Sequence, residues 1–135
     1  MKLLCELEYA SVPTFIEIGV KKKKKVYLSY NAIYSGAHHT VRKKIVDVLK
    51  LFMASSIKKI PNLTTKITIS LEYKSKRKQF DIDNKCGLFC KVFLDMIKGV
   101  KIKDDNVQFV NGIMYHYTPT DSIDDTLIIK IYESN

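Results

Sequence analysis

From Lys66 to Tyr73 apolar and polar residues alternate, with Ile67, Ile69 and Leu71 on one side and Thr68, Ser70 and Glu72 on the other. That period of two belongs to a strand with one covered face. After a short polar stretch the period changes. Leu88, Phe89, Val92, Phe93, Met96 and Ile97 make a broad apolar stripe at helical spacing, in a helix that begins somewhere in Asn84 to Gly87 and is stopped by Gly99. A strand with one apolar face and a helix with a wide apolar arc each need a cover, and the chain supplies them side by side.

The rest of the chain extends this frame. Leu3, Cys5, Leu7 and Tyr9 alternate with Glu6 and Glu8 as a half-buried opening strand. Phe15 to Val20 is β-prone and the pattern resumes at Val26, Tyr27 and Leu28. The lysines between, Lys21 to Lys25, repel one another and suit a solvated hairpin tip, although the run also has the composition of a localisation signal. Ser35-Gly36 breaks the chain, and from about His38 to Ile57 the residues Val41, Ile45, Val48 and Phe52 recur at helical spacing. Pro61 and Asn62 end that region. Two closing strands lie near Val107 to Tyr117 and Thr126 to Tyr132. The order β-β-β-α-β-α-β-β predicts a single α+β domain over residues 1–135, two helices packed on a mixed, mostly antiparallel sheet.

Charge narrows the function. Lys and Arg total 23 against 14 acidic residues, a net +9 on 135 residues. A polyanionic partner is expected, nucleic acid first among them. The chain lacks a strongly basic amphipathic helix with an aromatic wedge for a membrane surface, any apolar run of about 18 residues, and an h-region after Met1. Three cysteines, Cys5, Cys86 and Cys90, form no framework, so a reducing cytoplasm is the expected compartment. With 46% hydrophobic and 27% charged residues the chain is globular in composition.

The most unusual local chemistry is KSKRKQFDIDN, Lys74 to Asn84. Lys74, Lys76, Arg77 and Lys78 crowd together and are followed by Asp81 and Asp83. Neutralisation within the segment is one account; a basic groove that delivers a phosphate to a metal-holding pair is another. At the extended end of a strand, i, i+2 spacing sets both carboxylates on one side of the backbone. Such a pair repels itself unless a cation intervenes, and magnesium prefers a few carboxylates plus water and phosphate oxygens. A second acidic pair, Asp104-Asp105, follows the second helix, and a strand, helix and turn are expected to bring the two pairs together. The plain structural alternative is that Asp83 or Asn84 caps the helix and Asp104 opens a turn.

Asp81-Ile82-Asp83-Asn84, Lys91, Leu94-Asp95, Gly99, Asp104-Asp105 and Val107 together resemble the RusA family of Holliday-junction resolvases. The cations before the D-x-D and an upstream S-x-N-x-x-Y pattern, here Ser29, Asn31 and Tyr34, extend the resemblance, which is strong between Leu71 and Val107. It implies a RusA-like fold and a homodimeric, magnesium-dependent endonuclease for branched DNA, with manganese as a substitute. It also implies that Asp81, Asp83 and Asp105 hold the metal, that a helix lysine assists, and that the setting is the cytoplasm of a bacterium or a phage-infected host. DNA contacts are expected from Asn31, Lys74, Lys76, Arg77, Lys78 and Lys85.

The lysine does not align cleanly. Four positions after Asp83, where the family places it, stands Gly87, whereas counting back from Leu94-Asp95 selects Lys91. The chain therefore has about one extra helical turn. A helix starting near Asn84 puts Lys91 about 40° around and about 6 Å beyond the usual place. A longer loop through Lys85 to Gly87 restores it, and glycine's dislike of helix interiors favours that loop. Lys85 is the rival, and an i, i+4 pair with Asp95 is the alternative role for Lys91.

Two other functions stay in play: a catalytically silent protein that binds branched DNA, and a basic protein that binds a protein or RNA partner and uses its acids only as caps. Cys86 and Cys90 share a helical face without further zinc ligands, which suits buried apolar thiols. His38-His39 lie at a helix start. Tyr27, Tyr30 and Tyr34 either pack in the domain or stack on unpaired bases.

Overall fold

The computed structural model describes residues 1–34 and 38–135, with the side chain of Ala32 left aside. The break expected at Ser35-Gly36 lies outside the described residues. Elements run β1 (Lys2–Tyr9), β2 (Phe15–Ile18), β3 (Lys24–Tyr27), α1 (Tyr30–Tyr34), α2 (His39–Ile57), β4 (Ile67–Ser75), α3 (Ile82–Ile97), β5 (Val110–Pro119) and β6 (Thr126–Glu133). The short α1 is the one element the sequence pattern did not suggest. At five residues it is too short to show a period.

The main sheet has the order β1-β6-β4-β5, and β2 pairs with β3 in a separate hairpin. β6 runs antiparallel to both β1 and β4, while β4 and β5 are parallel. The α+β reading holds: helices on a mixed, mostly antiparallel sheet. The parallel pair follows from α3, because a strand that returns beside its predecessor in the same direction needs a crossover between them.

One face of the sheet is apolar and covered. Ile67, Ile69, Leu71 and Tyr73 of β4 and Leu127, Ile129 and Ile131 of β6 are fully buried, as are Phe89, Phe93 and Ile97 of α3. On α2 the buried line is Ile45, Leu49, Met53 and Ser56, whereas Val41, Val48 and Phe52 are only partly covered. The expected stripe was thus rotated by part of a turn. Met53 and Leu49 continue the i, i+4 row from Ile45, which is the row that meets α3 and the sheet. Tyr9 on β1 hydrogen-bonds Ser56, joining α2 to the far edge strand.

The lysine-rich segment forms a hairpin tip only in part, because Lys24 and Lys25 belong to β3, opposite Ile18 and Glu17. Ile16 pairs with Val26 and Ile18 with Lys24, leaving Lys21, Lys22 and Lys23 in the turn. Gly19 enters that turn at φ +100°, and a Cβ there would stand 2.4 Å from the Lys22 carbonyl oxygen, so only glycine fits. Among the described residues no helix is long and apolar enough to cross a membrane.

Candidate nucleic-acid and metal site

α3 begins at Ile82, earlier than Asn84 to Gly87. Asp81 is its N-cap, in extended conformation, and the Lys85 N–H bonds the Asp81 carbonyl at 3.1 Å to close the first turn. The longer loop that would have restored Lys91 is therefore absent. Gly87 lies inside the helix, where its Cβ position faces Tyr30 Cδ2 at 3.8 Å and Tyr115 Oη at 4.0 Å. Helical continuity is kept there because the flanking residues, Cys86 and Leu88, are anchored in the core.

This start changes the geometry of the aspartates. Asp81 precedes the helix and Asp83 sits in its first turn, so they are not neighbours on an extended strand end. Both are exposed. The Asp81 carboxylate makes no capping hydrogen bond, and the Asp83 carboxylate accepts from the Asn84 N–H at 2.9 Å. Neither is paired with a cation among the described residues, so the Lys74 to Lys78 cluster does not neutralise them. An acidic pair at a helix start is favoured by the unpaired N–H groups there.

Asp105 lies elsewhere. Lys98, the C-cap of α3, approaches Asp104 at 3.5 Å and Asp105 at 3.7 Å. The helix between the two acidic pairs has 16 residues, a rise of about 24 Å. The expected convergence of three or four carboxylates does not occur within one chain, and no three His, Cys, Asp or Glu residues among those described could hold a metal together. The reason is direction: α3 runs from the end of β4 back to its beginning, so the turn that carries Asp105 emerges at the opposite end of the strands. Asp104 shapes that turn, accepting from the Asp105 N–H at 2.7 Å and from Asn106 at 3.0 Å. The Asp105 N–H and the nearby Lys98 charge hold the Asp104 carboxyl below its ordinary range, and the two acids raise Lys98.

Lys91 is exposed, with Nζ 3.4 Å from Asp95. Eight residues beyond Asp83, it stands about 12 Å further along the axis. Lys85 behaves differently. It is buried, and its Nζ donates to the Leu28 carbonyl at 2.9 Å. Burial, and then the charge of Arg77, lower its pKa.

The upstream motif meets the downstream one. The Asn31 N–H, in α1, donates to the Asn84 side-chain oxygen at 2.7 Å. Residues 53 apart in sequence are thereby joined at the D-x-D, and α1 is held over the start of α3. Tyr30 and Tyr34 stack on one another at 4.6 Å, so their first partner is internal.

A carboxylate absent from the sequence reading organises the basic segment. Asp125 is buried and accepts from Tyr73 Oη at 2.6 Å, Ser75 Oγ at 2.7 Å and Arg77 at 3.0 Å. Burial alone would raise its pKa, but these donors outweigh it and the net shift is downward. Tyr117 Oη also donates to the Ser75 and Arg77 carbonyls, at 3.0 and 3.2 Å. Phe80 wedges edge-on between Tyr73 and Tyr117, both centroids at 5.6 Å. Arg77 is thus partly structural, while Lys76 and Lys78 stay exposed and Lys74 is half-buried on β4. Polar residues bracketing a strand end, Tyr73 and Ser75, were the only local hint of a buried acceptor.

Two hollows flank the D-x-D. Asp81, Lys78 and Phe80 line both; Tyr27, Arg77 and Lys85 are among the other walls of one, and Asp83 and Tyr117 among those of the other. The two carboxylates thus stand open to solvent among cations that do not pair with them.

No known protein-family model matches this chain, and no curated protein does.

Cys86 and Cys90 are buried thiols, with pKa values pushed up by burial to about 12 and about 11. His38 caps α2, its ring nitrogen accepting from the Thr40 N–H at 3.3 Å.

Proposed function

We propose that the protein is a magnesium-dependent endonuclease of the Holliday-junction resolvase type with a RusA-like fold, acting as a homodimer on branched DNA in the cytoplasm. The observation that carries this reading is the exposed, cation-free pair Asp81 and Asp83 at the start of α3, flanked by Lys78 and the Arg77–Asp125 anchor. Support also comes from the Asn31–Asn84 bond, which joins the two separated pieces of the RusA-like pattern.

Two carboxylates suit magnesium, which takes its other ligands from water and phosphate. Bound there, the ion would lower the pKa of a water and relieve charge on the phosphate. The chain's residues do the rest. Asp81 and Asp83 fix the position; Lys76 and Lys78 attract the backbone. Asp125 fixes the strand end from which these cations project, through Arg77, Ser75 and Tyr73. Asp105 joins such a site only from a second copy, because α3 separates it from the D-x-D of its own chain.

A homodimer also fits the reaction, since resolving a four-way junction takes two symmetry-related nicks and a C2 pair presents two identical sites. For its interface, the stretches Leu3 to Tyr9 and Phe15 to Val20 offer only part of their apolar residues. Leu7, Tyr9 and Ile16 serve the core, and Leu3, Phe15 and Val20 remain exposed.

The deciding experiment is a labelled four-way junction incubated with the protein, with and without magnesium or manganese. Paired nicks in the presence of metal are expected. Binding without cutting under both metals would leave a silent branched-DNA-binding protein.

A further inference from the structure

The side chain least explained by the fold is Lys85. Its stem is buried in the second turn of α3, only 6% of the residue is exposed, and its Nζ reaches the Leu28 carbonyl. An ammonium has three N–H groups, and the described residues provide one oxygen acceptor, together with the Tyr73 ring at 6.0 Å. The nearest buried carboxylate, Asp125, is already committed to Tyr73, Ser75 and Arg77. Arg77, in turn, adds repulsion. A buried cation in this position is costly unless an anion completes it.

The surroundings provide room for that anion. Lys85 lines an open pocket of about 620 Å³ whose other walls include Arg77, Lys78, Tyr27, Asn84 and Asp81. The Asn84 carbonyl is taken by the Asn31 N–H, which leaves its amide N–H groups as donors. Tyr27 is 58% exposed, its ring tilted over Phe15 at 6.0 Å, and presents an aromatic surface at the rim. Asp81 is the one acid, and it alone would repel an anion. Cations within and an aromatic ring at the edge are the pairing by which proteins hold a single nucleic-acid strand.

We propose that this pocket receives a phosphate group of a nucleic-acid strand, with Lys85 Nζ as its innermost contact, Lys78 at its rim and Tyr27 against the adjoining base. The source of the phosphate rests on the nuclease reading; the anion chemistry does not. On that reading, the pocket seats the strand beside the D-x-D.

The test uses the full chain in EDTA, so that the pocket is read without metal. Inorganic phosphate, thymidine 5′-monophosphate and single-stranded hexathymidylate are titrated by calorimetry, and the Lys85 side-chain ammonium is followed by NMR. Expected is binding of all three, tightest for the oligonucleotide, with the Lys85 signal shifting in each case. Lys85→Met should melt at or above wild type, because it removes a buried cation, and should weaken every ligand by at least about tenfold. Lys78→Ala, exposed and safe for folding, should weaken the oligonucleotide more than free phosphate. Equal binding by Lys85→Met and wild type would overturn the proposal. So would a large stability loss in Lys85→Met together with an unmoved Lys78→Ala, which would make Lys85 a structural donor to Leu28. Phosphate binding without gain for the oligonucleotide would overturn the strand assignment. Junction cutting is scored separately: Lys85-dependent binding without cutting removes the nuclease and keeps the pocket, and cutting without such binding does the reverse.

Discussion

At the N-terminal end of α3, Asp81 and Asp83 are exposed and have no cation partner among the described residues. At its C-terminal end, Asp104 and Asp105 share Lys98 and build a turn. Residue type is the same at both ends, and the circumstances are opposite. A carboxylate that shapes its own loop and answers a neighbouring lysine needs no ligand to explain it. The other pair is left open to solvent, in a chain of net charge +9. What neutralises an acidic pair in three dimensions, rather than its spacing, sets its circumstances.

The largest expected effect is at the open end. Asp83→Asn should cut four-way junctions at least about 100-fold more slowly than wild type, since metal stabilisation of the transition state supplies several kcal/mol. Junction binding in a gel-shift assay should survive. Normal cutting by this variant would put the two ends on an equal footing and remove the metal assignment.

A mixing experiment sharpens the contrast. If Asp105 acts from a second copy, Asp83→Asn and Asp105→Asn chains, each inactive alone, should regain single-strand nicking when combined, because one of the two sites in the mixed dimer is intact. If Asp105→Asn alone cuts like wild type, the C-terminal pair is purely structural. Sedimentation with junction DNA should show a dimer; a bound monomer would sink the resolvase model.

Asp125 allows the stability of the site's frame to be tested without chemistry. Asp125→Asn should destabilise by about 1–3 kcal/mol in urea unfolding, the cost of stripping partners from buried hydroxyls. The folded pKa of Asp125 is depressed, so its contribution is present above the unfolded value near about 4 and is lost as pH falls through the folded one. Wild type should therefore lose its advantage over the variant on acidification below about pH 4. A difference independent of pH would assign the effect to packing.

Smaller shifts are expected from exposed charges. Replacing Lys76 and Lys78 with alanine should flatten the salt dependence of junction binding, by about 0.9 in log–log slope for each phosphate that is no longer neutralised. If it does not, Lys21, Lys22 and Lys23 at the hairpin tip are the next cations to remove. Smallest of all, Lys98→Met should alter the melting temperature less than Asp125→Asn does, because solvated ion pairs contribute little.

The alternation of Ile67, Ile69 and Leu71 and the stripe from Leu88 to Ile97 determined a strand and a helix by themselves, because period and burial are local properties of a chain beside one apolar core. Gly99 as a helix stop and the lysine hairpin tip were equally legible, since positive φ and like-charge repulsion act within a few residues. The D-x-D and the cations before it could also be read, as residue types. Tertiary structure alone decided which acids stay open. It set Asp105 about a helix length away from Asp83, closed Arg77 onto Asp125 across 48 residues, and brought Asn31 to Asn84 across 53. Those pairings depend on strand order and on the direction in which α3 crosses the sheet, and no local pattern carries either. A carboxylate's partner is chosen by the neighbours that folding brings, which is why acidic pairs build a turn at one end of α3 and stay open to solvent at the other.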